Sequence, residues 1–427
     1  MKLSIDAYNL ALEHGTGVAT YGRNLVTSAG ALGHNVGVLY GSPFGHSKVA
    51  LLNEIGLIDG PSIAKKKGGG VKAGMGSLSA PLSIFGTRQA KEVPLSGQVI
   101  VPPHKRLAAH RYWNIRDLYR NALGLYRATG AATNVRVDGL DLAHWTYPLP
   151  VEARGARNVY TLHDLVPLRL PYTTADRKRV YYRLCKRIAE RADHIITVSE
   201  CARHDIIQLL GVTEDRITNT YQSSDIAQLL NGVDEAAVET YVTGTLGVDL
   251  YGYFLFFGAI EPKKNVARLL EAYLGSSSRT PLVIVGAPGW GGEKEARLLK
   301  SISSLDAKKR IVWLDYLPRE MLAMLIAGAR ATLFPSLYEG FGLPVLESML
   351  LGTPVVTSNT SSLPEVAGDA AILVDPYDVR SIAGAIRTID NDADIRKELR
   401  AKGRVQADRF SRARYEDRLK SLYERLG

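Results

Sequence analysis

A chain of 427 residues is too long for one ordinary hydrophobic core, so two domains are expected. Its two cysteines, Cys185 and Cys201, argue against a disulfide framework and fit a reducing cytoplasm, and no apolar run reaches the roughly 20 residues that span a bilayer. The net charge of +10 is uneven: thirteen Lys and Arg face only Glu92 and Asp117 between Ala64 and Arg136, which suits an anionic partner (membrane surface, lipid phosphate or nucleic acid) or an ordinary solvated surface. The start, Met-Lys-Leu-Ser-Ile-Asp, lacks the apolar stretch of a signal peptide.

In chain order, Leu3–Ala7 reads as a buried strand, followed by the loop His14-Gly15-Thr16-Gly17 and a helix from about Val18 to Leu32. This opens a βαβ unit. Gly15 and Gly17 let backbone approach a phosphate or an acceptor, and equally suit a tight structural turn. Asn35–Tyr40 is the next strand. From about Ser42 to Ala131 the alternation breaks. Lys65-Lys66-Lys67-Gly68-Gly69-Gly70, and the Gly, Ser and Pro continuing to Pro103, read as an insertion or mobile loop. From His104 to Tyr126, Trp113, Ile115, Leu118, Tyr119 and Tyr126 interleave with Arg106, Arg111, Arg116 and Arg120. That pattern suits a basic amphipathic helix in a membrane interface, or a helix packed on its own domain with the arginines outward.

Asp141–Trp145 and Arg157–Leu162 read as buried strands, the second running into His163-Asp164. Residues at the C-terminal end of a parallel strand sit where open α/β sheets hold ligands, and a histidine there can donate or accept. Tyr172–Ala192 reads as a strongly basic helix. His194–Val198 is a strand, Ser199 caps the helix after it, and Asp215–Thr220 ends the first half. After the polar stretch Ser224–Gly252, strands are expected at Tyr253–Ile260, Pro281–Gly286, Ile311–Leu314, Ala331–Phe334, Val355–Ser358 and Ala371–Val374. Helices between them imply a doubly wound parallel sheet with right-handed connections.

Two loops of this half carry chemistry. Glu261-Pro262-Lys263-Lys264-Asn265 follows a strand, where lysines reach a diphosphate. Glu339-Gly340-Phe341-Gly342-Leu343-Pro344 leads into a helix over Val345–Leu351, with Pro344 at the first helical position. A glycine loop at a helix start offers free N–H groups to an anion. Glu339 and Glu347 frame this loop, although Glu347 alone also favours the helix dipole.

The string E-G-F-G-L-P-V-L-E, Glu339 to Glu347, resembles the Glu-x7-Glu signature of retaining GT-B glycosyltransferases of family 4. G-A-I-E-P-K-K-N is similar to their G-x-L-E-P-R-K-N, with Lys263 replacing the usual Arg and Ala259 where some members carry Arg. T-L-H-D-L resembles their cleft histidine, and His14–Gly17 their first glycine loop. The resemblance covers most of the chain. It implies an α/β GT-B fold, with two Rossmann-like doubly wound parallel-sheet domains facing a cleft. The acceptor-binding domain would span 1–225, with a basic insertion at about 42–131. A linker would follow at 226–252, then the nucleotide-sugar domain at 253–409, and a helix at 410–427 crossing back.

The same resemblance implies catalytic roles for His163, Glu339 and Lys264. It implies donor contacts from Lys263, Lys264, Tyr316, Leu317, Glu339, Phe341, Gly342, Leu343 and Glu347, and an acceptor side of Gly15, Thr16, Gly17 and Asp164. Glu347 would accept from ribose hydroxyls; Glu339 would hold the donor sugar. Neither a metal nor a cofactor is expected, the nucleotide sugar being a substrate. The strings look most like bacterial mannosyltransferases using GDP-mannose, with UDP-glucose or a dTDP-deoxysugar as alternatives. The expected acceptor is a glycan or a polyprenyl-diphosphate-linked glycan, in polysaccharide biosynthesis in the cytoplasm, peripheral to the inner membrane face. Two rivals are a GT-B-shaped sugar-nucleotide epimerase and a nucleic-acid-binding protein. The latter ranks last, because the basic segment has no recognisable nucleic-acid motif.

Overall fold

Strands covered on both faces bury every side chain, and Phe254–Phe257 and Leu282–Val285 are unbroken, fully buried apolar runs of this kind. The computed structural model describes residues 1–11, 17–66, 86–101, 106–305 and 311–427. Two parallel sheets organise them.

The first sheet holds β1 (Lys2–Asp6), β2 (Asn35–Tyr40), β3 (Lys91–Glu92), β4 (Arg111–Asn114), β5 (Leu142–Trp145), β6 (Arg157–Thr161), β7 (His194–Thr197) and β8 (Ile217–Asn219), in the order β8-β7-β6-β5-β1-β2-β4-β3. All neighbours are parallel except β3 and β4, and Leu3 of β1 stands between Val36 and Leu142. A small parallel sheet of Arg88–Gln89, Thr133–Arg136 and Val151–Ala153 lies beside it. The helices include α1 (Gly17–Ala31), α2 (Leu118–Thr129), α3 (Lys178–Arg191) and α4 (Glu200–Leu210).

The region around 104–126 differs from the single helix expected. Arg111–Asn114 pairs with β2 as a strand, and the Trp113 ring fills the space over Gly37, where a Cβ would meet it at 1.9 Å. Ile115, Leu118, Tyr119 and Tyr126 are buried as well, so these aromatics serve the core and not a membrane interface. The arginines do point outward: the Arg116 and Arg120 side chains are 68% and 79% exposed. The stretch 42–131 also contains a helix, Ala50–Lys66, and is structured where described; Lys67 to Gly70 lie outside the described residues. The basic helix α3 starts only at Lys178, because Pro171–Thr173 forms a separate 3-10 turn and Thr174 is extended.

Residues 226–252, expected to be a linker, contain helix α5 (Glu235–Leu246). Its Val238 and Val242 pack into one apolar cluster with Tyr253, Leu255 and Val283, so this stretch adheres to the second sheet. That sheet holds β9 (Phe254–Phe257), β10 (Leu282–Val285), β11 (Ile311–Leu314), β12 (Ala331–Phe334), β13 (Val355–Ser358) and β14 (Ala371–Val374), in the order β11-β10-β9-β12-β13-β14. The order reverses between β9 and β12, which makes that pair the topological switch point. Helices α6 (Arg319–Ala327), α7 (Leu343–Leu350) and α8 (Leu363–Ala367) lie in this half. The last helix, α9 (Arg412–Leu426), returns to the first sheet: Tyr423 is buried with its hydroxyl 2.7 Å from Nδ1 of His144 in β5.

Candidate active site

Open α/β sheets bind ligands outside the carboxyl ends of the strands at the switch point. Here the loop after β9 carries Lys263 and Lys264 in a 3-10 turn, and the loop after β12 carries Glu339. Lys264 Nζ donates to Glu339 Oε1 at 2.7 Å, with the two side chains only 12% and 9% exposed. Ser336 Oγ donates to the same carboxylate oxygen at 2.6 Å, and the ammonium lies 5.0 Å from the centre of the Phe334 ring. Burial pushes the Glu339 pKa up, but Lys264 and Lys263 outweigh it and hold the carboxyl below its ordinary value. Burial likewise pushes Lys263 down, while Glu339, Asp164 and Glu261 hold it above its ordinary value. Both groups are therefore charged at neutral pH.

The backbone of the loop is pinned on either side of Glu339. Its N–H donates to Ser361 Oγ at 3.1 Å, and the Ser362 hydroxyl reaches the carbonyls of Glu339 and Phe341 at 2.9 and 2.7 Å. Gly342, with φ 111°, turns the chain into α7, a conformation that glycine adopts without strain. The helix begins at Leu343, with Pro344 in its first turn. Its Glu347 is buried, accepts from Ser224 Oγ at 2.9 Å, and lies 3.9 Å from Arg319 of α6. Burial raises the Glu347 pKa, and Arg319 and Ser224 offset this only in part.

The first domain reaches this loop directly. A Cβ on Gly340 would lie 2.6 Å from the His163 carbonyl oxygen and 3.0 Å from Asp164 Oδ2. His163 Nε2 donates to the Thr146 carbonyl at 2.9 Å, so Nε2 carries the proton and Nδ1 is left as an acceptor. The ring packs edge-on against Tyr21 at 4.8 Å, and burial holds its pKa below the ordinary value. Gly17 opens α1, and a Cβ there would lie 3.5 Å from Leu343.

The place where the two halves meet therefore gathers Gly17, His163, Asp164, Lys263, Lys264, Glu339, Gly342 and Leu343. The Phe341 side chain is buried, edge-on to Phe410 at 5.4 Å, so only its backbone is offered to a ligand. Tyr316 and Leu317 follow β11, two strands from β9; Tyr316 is 54% exposed and Leu317 packs on the α5 cluster. Gly15 and Thr16 lie outside the described residues. Among the described residues, no group of three or more His, Cys, Asp or Glu could hold a metal.

Sequence reasoning assigned no role to Asn265, Arg319 or Ser224. Asn265 sits at φ 62°, and its Nδ2 donates to the carbonyls of Pro335 and Pro376 at 3.0 and 2.7 Å, joining the lysine turn to the β12 loop. An Asn between two lysines and a helix is a signal for such a left-handed position. Arg319 and Ser224 approach Glu347 from distant parts of the chain and leave no local signal.

Two Rossmann-like halves meeting at a lysine-carboxylate cleft define a glycosyltransferase of the GT-B fold. The glycosyl transferases group 1 profile matches residues 249–406, and that of glycosyltransferase family 4 matches residues 82–225. The chain is 36% identical over 260 residues to O-antigen chain mannosyltransferase B of Escherichia coli, covering 60% of this chain and 67% of that protein. It is 29% identical over 278 residues to the serotype-specific mannosyltransferase WbdA of Escherichia coli, covering 62% of this chain and 33% of WbdA. The chain thus spans about two thirds of the first relative and one third of the second. In fold it is similar to a sucrose-phosphate synthase from Thermosynechococcus elongatus (TM-score 0.68, 17% identity, 100% and 99% of the chains) and to Anabaena HepE in complex with UDP and glucose (TM-score 0.66, 16% identity, 99% of each). The chain belongs to the family-4 glycosyltransferases.

Proposed function

We propose that this glycosyltransferase moves mannose from GDP-mannose to a glycan or polyprenyl-diphosphate-linked acceptor during bacterial polysaccharide synthesis, retaining the anomeric configuration. The observation that carries the reading is the buried Lys264–Glu339 pair beside Lys263 and the start of α7. The Lys264 ammonium donates to Glu339. An arriving sugar diphosphate draws both lysines, and together with the N–H groups at the helix start they stabilise the departing nucleoside diphosphate. In this scheme protein cations meet the charge of the leaving group, without a metal. Glu339, released from Lys264, accepts from the donor sugar's hydroxyls. Glu347 accepts from the ribose, and neutral His163 faces the sugar with Nδ1 free to accept. The relatives named as mannosyltransferases support mannose as the sugar.

We further propose that the exposed arginines of the first domain, such as Arg116, Arg120 and Arg136, lie against anionic lipid.

A thermal-shift panel of GDP-, UDP- and dTDP-sugars tests the donor. GDP-mannose should raise the melting temperature of the wild type most, and Glu347→Ala should lose that shift. A preference for UDP-glucose, or an undiminished shift in Glu347→Ala, overturns the assignment. NMR of the product from the α-linked donor should show an α linkage if configuration is retained.

A further inference from the structure

We propose that Tyr338, Asp205 and Arg169 are positioning residues that set the Glu339 loop from across the cleft, so that the donor pocket is completed by the opposite domain. The proposal rests on the reading of this cleft as the site of glycosyl transfer. Asp205 belongs to α4 in the first domain and is 3% exposed. Its Oδ1 accepts from Arg169, with Nε at 2.8 Å, and its Oδ2 accepts the hydroxyl of Tyr338. Tyr338 immediately precedes Glu339. A buried carboxylate with a guanidinium on one oxygen and a phenol on the other is a charge-assisted arrangement of fixed geometry.

The same helix holds the residue on the other side of Glu339. Ser199 Oγ donates to the Gly340 carbonyl at 2.6 Å while accepting from Ala202 N–H as the cap of α4. A third contact registers the helix: the Glu365 carboxylate of the second domain accepts the N–H of Glu200 at 2.8 Å and of Cys201 at 3.3 Å, matching the positive end of α4. Glu339 is thus bracketed at 338 and 340 by one element of the other domain.

This bracketing matters most when a donor is present. Lys264 anchors the Glu339 carboxylate, yet it is also the cation that a departing diphosphate recruits. Once Lys264 turns to the phosphate, the loop around Glu339 is held by Ser336, the two serines on the backbone, the bonds of Leu337 to the Lys263 carbonyl and Thr360, and the α4 contacts on either side of the carboxylate. Placement of Glu339 during transfer then depends on the first domain being docked, which couples the acceptor side to the donor side.

The test uses Tyr338→Phe and Asp205→Asn, singly and together, in the full chain. Each single change should lower kcat about tenfold or more, since a hydrogen bond to a charged group is lost, with the donor KM moving less than about threefold. The double variant should be no worse than the more affected single one, and amide exchange at residues 339–341 should quicken. Wild-type kcat in Tyr338→Phe overturns the proposal. So do additive losses, or a fall in kcat matched by equal falls in donor affinity and melting temperature. Asp205→Asn also strands Arg169, so Tyr338→Phe, which removes only a hydroxyl, decides if that variant does not fold. Should the wild type transfer no sugar, exchange alone decides. Faster loop exchange in Tyr338→Phe then upholds the positioning while the transfer reading falls, and unchanged exchange overturns it.

Discussion

His163 shows how one residue is set by what surrounds it. Its Nε2–H is committed to the Thr146 carbonyl and its ring lies against Tyr21, so a second proton on Nδ1 would place a cation in a dry site. Burial dominates and lowers the pKa below its ordinary value near 6.5, although the Thr146 carbonyl and Asp164 oppose the shift. The sign follows: the fold favours the neutral ring, so the associated stability is present above the ordinary value and is lost as pH falls through the lowered one. NMR titration of the His163 ring should give a midpoint below 6.5, and the transfer rate should show no His163 inflection at that ordinary value. A midpoint at or above it would contradict the burial argument. Glu339 and Glu347 make a similar contrast. Two lysines hold the first down, while burial raises the second against the weaker opposition of Arg319 at 3.9 Å and the Ser224 hydroxyl.

At the scale of elements, the loop from Tyr338 to Gly342 acts as the edge on which the two domains meet. Gly340 has no space for a Cβ, because backbone of the opposite domain already occupies that position 2.6 Å away. Gly340→Ala should therefore hold the domains apart while straining neither, lowering kcat at least about tenfold, as displacements of about 1 Å at a catalytic constellation do. Small-angle scattering should show a larger radius of gyration, and the melting temperature should barely move; a wild-type rate would refute the contact. This edge was only half legible in the sequence. Gly340 and the two glutamates stand in one local string, but the contacts of Ser199 and Asp205 with it cross 141 and 133 residues and leave no pattern in either segment. Legibility of the strands followed their apolar, β-branched composition. β11 and β14 are apolar throughout, β12 and β13 are apolar but for a Thr and a Thr-Ser pair inside the sheet, and the limits of all four agree with those expected. Arg111–Asn114 pairs near the sheet margin with only Trp113 buried, so its mix of Arg, Tyr and Trp imitates helical spacing and the sheet had to override it.

Across the whole molecule, two features connect distant parts. The first is α9, which ties the end of the chain to the centre of the first sheet. Tyr423 meets His144 at 2.7 Å, His144 meets Thr161 at 2.8 Å, and Thr161 meets Tyr21 at 2.9 Å, the ring beside His163. The second is the distribution of charge. The net +10 gathers in a stretch where Trp113, Tyr119 and Tyr126 are buried and Arg116, Arg120 and Arg136 are exposed, and among the described residues no helix is long and apolar enough to cross a membrane. The contact with lipid proposed for this face would be electrostatic, without insertion of those buried rings, and would follow ionic screening. The Debye length shrinks from about 10 Å at 0.1 M salt to about 3 Å at 1 M, and each surface Lys or Arg contributes about 1 kcal/mol near an anionic leaflet. Arg116 and Arg120 share Asp117, at 3.8 and 3.3 Å, so reversing both to Glu leaves three adjacent acids on that face. The chain should float with phosphatidylglycerol vesicles at roughly 0.05 M salt and be released at roughly 0.5 M, while neutral vesicles retain none. The Arg116→Glu/Arg120→Glu variant should float less at low salt with an unchanged melting temperature. Binding that survives high salt would mean that apolar groups insert after all, and no binding at low salt would leave this face as solvated surface.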